Sequence, residues 1–259
     1  METSNIEVWN RHYLRPESKQ SYPDEALVRL IRTLPLHEKA PDATDTELLT
    51  EKEQRWDKSA RSLMRSQGMS ANSSSKPESN PDPENSASMF RYFALDFGCG
   101  SGRHIPLLLE SGYETSGCDS SKNAIDHCIE LYPRARFSLS VDFSIPASPA
   151  EDGLYDVIVC WGVLHYMPAR EASRLLMQLE KALRPGGFLL GTLRKESDTH
   201  FQHSAVSESS IHLASEEDLK GLLSGSFADF EYGYMERTPL GKMDQIVAHW
   251  FFRARKLVS

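Results

Sequence analysis

A chain of 259 residues is long enough to bury one sizeable core, and a single α/β domain with appended segments suits that length better than two large domains. Its net charge of -8 argues against a broad electrostatic grip on phosphate backbones, which depends on lysine and arginine releasing counterions, so no nucleic-acid partner is expected. There is no apolar run of roughly 18 residues to cross a bilayer, and the opening METSNIEVWNRHY lacks the basic and apolar parts of a secretory signal, so a cytoplasmic protein is expected.

In chain order, Asp24 to Leu34 follows Pro23 and carries Ala26, Leu27, Leu30, Ile31 and Leu34 at helical spacing, which predicts a short amphipathic helix. A second helix is expected over Thr46 to Arg65, although charges crowd it. Residues 68–88 are serine, asparagine, proline and charge with almost nothing apolar, the composition of a disordered linker. The expected organisation is an N-terminal helical arm with an insertion over 1–67, the linker over 68–88, and the main domain over 89–259.

From Met89 onward, short β-rich runs alternate with helical ones, as a parallel sheet covered on both faces requires. Strands are predicted at Tyr92 to Phe97, Glu114 to Cys118, Arg136 to Val141, Tyr155 to Trp161 and Phe188 to Leu193. Between them, one helix presents Ile105, Leu108 and Leu109 before Gly112, and another presents Ile125, Cys128, Ile129 and Tyr132. A third runs from Ala172 to Leu183 and ends at Arg184-Pro-Gly-Gly187. Ser215, with Glu217 and Asp218 near the capping-box position, opens a further helix. Asp229 to Arg237 and Gln245 to Lys256 are expected to form an antiparallel hairpin at the sheet edge.

The four cysteines, Cys99, Cys118, Cys128 and Cys160, have neither zinc-site spacing nor the density of a disulfide scaffold, so buried free thiols are expected. His200 and His203 stand in a polar loop without a clear third ligand, and no metal is expected.

The segment Ala94-Leu-Asp-Phe-Gly-Cys-Gly-Ser-Gly-Arg-His104 is an apolar strand ending in a glycine turn that enters a helix. Glycine permits the tight turn and the close approach of a ligand. A dinucleotide fingerprint needs Gly-x-Gly-x-x-Gly to seat a pyrophosphate. Here the glycines are 98, 100 and 102, and Asp96 beside them would repel a pyrophosphate while favouring a cationic amino group. Asp119 ends the next strand, where a carboxylate can accept both hydroxyls of a ribose. The alternative role for it is a helix cap.

LDFGCGSG resembles the first motif of class I S-adenosylmethionine-dependent methyltransferases. The resemblance extends to Asp142-Phe143 after the third strand, to Tyr155-Asp-Val-Ile-Val-Cys-Trp-Gly-Val-Leu-His-Tyr-Met-Pro168 at the fourth, and to Leu183-Arg-Pro-Gly-Gly-Phe-Leu-Leu190. It implies a Rossmann-like, doubly wound α/β fold with a mostly parallel seven-stranded sheet, an antiparallel C-terminal hairpin strand and helices on both faces. The implied cofactor is S-adenosylmethionine, held by Asp96, Gly98, Cys99, Gly100, Gly102, Arg103, Asp119, Ser120, Asp142, Phe143, Cys160 and Trp161.

The N-terminal Trp9-Asn10 and Ser21-Tyr-Pro-Asp-Glu25 are similar to elements of a small-molecule-type bacterial subgroup. That likeness implies that Trp9, Tyr13 and Tyr22 form a lid, the competing role being aromatic anchors that pack the arm onto the sheet. His165, Tyr166 and Arg194 are the further candidates to face the methyl acceptor, expected to be a small molecule. Gly162 also falls at the fourth strand end, facing the site. His165 is the candidate general base, since imidazole titrates near neutrality, and a structural imidazole is the competing role. A cofactor-binding but inactive interaction module is the alternative function, and a nicotinamide-dependent oxidoreductase is disfavoured by the glycine spacing and Asp96.

Overall fold

The computed structural model describes residues 3–15, 18–34, 92–200 and 211–258. The expected helix over 46–65, the linker over 68–88, most of the insertion and His203 lie outside them. Two compact units are separable, residues 1–32 with 88–259 and residues 33–87, and all that follows concerns the first.

The elements are α1 (Thr3–His12), α2 (Glu25–Arg32), β1 (Tyr92–Phe97), α3 (Ile105–Glu110), β2 (Tyr113–Asp119), α4 (Lys122–Leu131), β3 (Arg136–Leu139), β4 (Tyr155–Cys160), α5 (Ala169–Ala182), β5 (Leu183–Arg194), α6 (Glu216–Ser224), β6 (Asp229–Arg237) and β7 (Val247–Arg255). A 3-10 turn at Leu164–Tyr166 precedes α5. The strands form one sheet in the order β3-β2-β1-β4-β5-β7-β6. Pairing is parallel from β3 to β5 and antiparallel from β5 through β7 to β6. This is the Rossmann-like, doubly wound arrangement expected, with its antiparallel C-terminal hairpin.

Strand composition follows position in the sheet. All six residues of β4, YDVIVC, are buried, because a central parallel strand has helices over both faces. The edge strands β3 and β6 are largely half-buried or exposed. Helix α5 buries Ala172, Leu175, Leu176 and Leu179, the single stripe that helical periodicity allows. At the start of α6, Ser215 Oγ accepts from the Asp218 amide and the Asp218 carboxylate accepts from the Ser215 amide, completing a capping box.

Four sequence expectations shift in the structure. In α3 the buried pair beside Ile105 is Leu107 and Leu108 rather than Leu108 and Leu109, which places the stripe one residue earlier. In α4 Ile129 is exposed and Ala124 buried, since the helix turns its Ala124-Ile125-Cys128 side to the sheet. Strand β5 starts at Leu183 rather than Phe188: Leu183 pairs with Tyr155 and Phe188 with Val157, and the Arg184-Pro-Gly-Gly187 segment bulges between them. Within the C-terminal hairpin, β7 lies inside the sheet and β6 alone forms the edge, consistent with the heavier burial of VAHWFFRAR.

The chain runs outward from β1 to β2 and β3, then returns to start β4 on the other side of β1. Strand order therefore reverses between β1 and β4, and a crevice opens outside their carboxyl ends, the place where open α/β sheets bind ligands. At the opposite ends of these strands, Arg184 donates to both oxygens of Asp156 and to Asp152, while Asp156 Oδ2 accepts from the Phe93 amide at 2.7 Å.

Candidate functional site

Two adjoining cavities occupy the crevice. One, of about 70 Å³, is lined by Phe97, Gly98, Cys118, Asp119, Ser120, Ser140, Phe143, Val163 and Met167 among others. The larger, of about 340 Å³, continues past the glycine turn to Arg103, His104 and Trp161 and on to the ends of β5, β6 and β7. Trp9, Tyr13, Gly98, Gly162 and Tyr166 line both.

The glycine turn is held from below. The amides of Gly98 and Cys99 both donate to the Cys118 carbonyl, at 2.8 and 2.9 Å, tying the turn to the end of β2. Gly98, Gly100 and Gly102 have φ of 71°, 53° and 79°, in the left-handed region that glycine tolerates best. There is also no room for a side chain. A Cβ on Gly98 would lie 2.4 Å from Val163 Cγ2, and one on Gly100 would lie 2.3 Å from the Tyr13 hydroxyl.

Asp119 is fixed by the same turn. Its Oδ2 accepts from the Gly100 amide at 2.9 Å and its Oδ1 from the Ser121 amide at 2.8 Å. Each oxygen keeps a lone pair for a further donor. Burial, the leading influence, raises the Asp119 pKa, and the amide bonds counter it.

Asp96 is buried behind the turn rather than on a cavity wall. Its Oδ1 lies 3.3 Å from His104 Nδ1, and its Oδ2 is buried without a hydrogen-bond partner. A buried carboxylate oxygen with an open lone pair favours a cation nearby.

The N-terminal arm supplies the roof. Asn10 Oδ1 accepts from Ser121 Oγ at 2.8 Å, and the Asn10 carbonyl accepts from Asn123 Nδ2 at 3.0 Å. Gln20 accepts from Ser101 and Arg103, at 3.0 and 2.6 Å. Trp9 meets the Tyr166 ring edge-on at 4.8 Å. Burial first, and then the Asp119 charge, raise the Tyr13 pKa well above its usual value.

The expected site residues separate into two sets. Gly98, Asp119, Ser120, Phe143, Trp9, Tyr13 and Tyr166 meet around the smaller cavity, and Cys99, Gly100, Arg103, Trp161, His165 and Arg194 join the larger one. Asp96, Gly102, Asp142, Cys160 and Tyr22 line neither. Gly102 packs toward Tyr132 and Cys128. Asp142 is exposed, and its Oδ1 accepts from the Ser144 amide at 3.1 Å, so its side chain caps its own turn. Phe143 is the one described non-glycine residue with positive φ, 59°, and this backbone turns its ring inward as Asp142 points out. Cys160 is consumed in the core between β4 and its covering helices. Tyr22 is 80% exposed, so it forms no part of the roof.

Residues without a role in the sequence motifs also reach the site, among them Ser140, His104, Thr192, His249 and Arg237. Thr192 Oγ1 accepts from the Gly162 amide at 2.8 Å and so fixes the turn after β4. Among the described residues no group of histidines, cysteines and acids could hold a metal ion, and no helix is long and apolar enough to cross a membrane.

His165 is 1% exposed, and its ring lies 4.2 Å from Tyr166 and 6.2 Å from His249 between centroids. Burial, followed by the charges of Arg194 and His249, holds its pKa well below the imidazole range. Burial and Arg194 push His249 down to about 4. Both imidazoles are therefore neutral in the folded protein, while in the unfolded chain they take up protons below about pH 6.5. Stability is expected to fall as the pH drops from 7.5 to 5, by roughly 2 kcal/mol through His249 alone. Urea midpoints at the two pH values check this, and a His249→Gln variant with an unchanged pH slope would refute the assignment.

Residues 95–189 match the family described as "Methyltransferase domain". An uncharacterised methyltransferase of Synechocystis sp. is 27% identical over 108 residues, 41% of this chain, and the match spans only 50% of that protein's length. Among solved structures, a SAM-dependent methyltransferase of Methanosarcina mazei superposes with a TM-score of 0.53 at 19% identity, covering 70% of this chain and 100% of the other. Magnesium protoporphyrin IX methyltransferase from Synechocystis PCC 6803, with bound SAH, gives 0.52 at 13% identity, covering 99% and 100%. At these identities the structural likeness concerns the fold.

Proposed function

We propose that this chain is a class I S-adenosylmethionine-dependent methyltransferase that transfers a methyl group to a small-molecule acceptor. The observation carrying the proposal is the Asp119 carboxylate, tied by one amide at each oxygen at the end of β2 and facing the crevice beside a glycine turn with no space for side chains. The family match over 95–189 supports the same conclusion.

The residues present fit the cofactor. Asp119 would accept the ribose hydroxyls, and Phe143 with Ser140 and Met167 would border the adenine in the smaller cavity. The Gly98–Gly102 turn would lie against the amino-acid moiety, with Asp96 favouring its ammonium and Arg103 its carboxylate. When bound, S-adenosylmethionine would supply an electrophilic methyl carbon open to direct attack by the acceptor's lone pair, with S-adenosylhomocysteine as the leaving group. The protein's part is positioning and the exclusion of water. Trp9, Tyr13 and Tyr166 wall the space between the two cavities, where the acceptor atom would be aligned.

In this scheme His165 acts by shaping the cavity and as a neutral imidazole, the form able to accept a proton. Its depressed pKa makes it a weak base, so it suits an acceptor that gives up its proton readily. Calorimetric titration with S-adenosylmethionine and S-adenosylhomocysteine tests the proposal. Saturable binding in the micromolar range is the expected result, and a folded protein that binds neither would refute it.

A further inference from the structure

The far end of the larger cavity is built by sheet register. Arg194 on β5 stands opposite His249 on β7, and His249 opposite Met235 on β6. Val247 and Arg237 pair with each other two residues along. Side chains alternate between faces, so all five project to the same side, and all five line the cavity.

The cavity as a whole is lined by more positive than negative charge. Three guanidiniums line the cavity, those of Arg103, Arg194 and Arg237, against one carboxylate, that of Asp24. Asp24 Oδ1 is engaged at the start of α2 by the Ala26 amide at 3.0 Å. Arg194 is matched by Asp198. Arg103 donates to the neutral Gln20, and among the described residues Arg237 has no carboxylate partner. The surplus is felt by its neighbours: after burial and Arg194, the charges of Arg237 and Arg103 further discourage protonation of His249, with Asp198 opposing.

We propose that this end of the cavity takes a methyl acceptor bearing a carboxylate or phosphate group, gripped by Arg237 with Arg194 beside it. The proposal rests on the methyltransferase function, because that function places Arg103 at the cofactor's own carboxylate and leaves the Arg237 guanidinium on β6 for the second substrate. A guanidinium presents paired N–H donors that match a carboxylate or a phosphate. Trp9 and Tyr166 close the adjoining wall, so the anionic group would be carried on a flat or apolar body.

Ligand-detected NMR with benzoate, phenyl phosphate and benzamide tests this on the full chain, with and without saturating S-adenosylhomocysteine. At least one anionic probe is expected to bind roughly tenfold more tightly than benzamide, with the better of the two identifying the group. That preference should vanish in Arg237→Gln, whose site is exposed at the end of an edge strand and whose melting should match the parent. It should survive Arg103→Gln in the loaded protein. Equal binding of all three probes, or a preference unchanged in Arg237→Gln, would overturn the proposal. Binding of S-adenosylhomocysteine without an anion preference refutes the anion site and spares the methyltransferase function. An anion preference without S-adenosylhomocysteine binding does the reverse.

Discussion

Asp119→Ala is expected to weaken S-adenosylhomocysteine binding by at least about 100-fold, since two hydrogen bonds to a charged acceptor are lost at roughly 1.5–3 kcal/mol each. The same substitution releases the Gly100 and Ser121 amides, so the turn loosens as its ligand acceptor disappears. Asp119→Asn, which preserves shape and one acceptor oxygen, should fall between the parent and the alanine variant. Calorimetry gives the affinities, and a thermal melt shows that each variant is folded. An alanine variant that binds like the parent would remove Asp119 from the cofactor site.

The largest expected loss of stability lies at Asp198, whose side chain is fully buried and accepts from both Arg194 and the Ala248 amide, the latter at 2.8 Å. Asp198→Ala strands a largely buried guanidinium and an amide together. Breaking a buried pair from one side costs about 3–5 kcal/mol, because the remaining charge has lost its compensation. For a domain of this size roughly 2–4 °C accompanies each kcal/mol, so the melting temperature should drop by about 10 °C. Asp198→Asn, which still accepts from Ala248, should lose less. A drop of under about 2 °C for the alanine variant would mean that Arg194 is hydrated there and that its pairing contributes little.

The sheet was legible in the sequence because each of its strands announces itself locally. Tyr92 to Phe97 and Tyr155 to Cys160 are apolar runs bounded by turns, and the glycine turn after Phe97 is a backbone requirement written in residue type. Asp119 and Trp161 were legible for the same reason, standing at strand ends that topology brings to one crevice. Asp142 was not, because an aspartate two residues before Ser144 satisfies its own turn as readily as a ligand, and only the conformation at Phe143 separates the two outcomes. Tyr22 was misplaced because exposure depends on how the arm crosses the site, which no local pattern encodes. Arg237 and His249 were out of reach altogether. They meet Arg194 through antiparallel register between strands more than 50 residues apart in sequence from β5 to β7, and β7's place inside the sheet decides who faces whom.

All four cysteines are buried free thiols. To a thiol reagent the outer surface therefore offers nothing: Cys99 and Cys118 border the two cavities of the crevice, and Cys128 and Cys160 are reached only when the protein opens. Cys99 and Cys128 pack together under the glycine turn, with Cys128 Sγ donating to the Gly100 carbonyl at 3.2 Å. Cys118 and Cys160 belong instead to the interior strands β2 and β4. Cys128 and Cys160 thus keep separate clocks, one for loosening of the turn and one for parting of the sheet. A ligand that clasps the turn slows the first clock directly, so its arrival can be timed from the protein's own sulfur atoms without any attached dye.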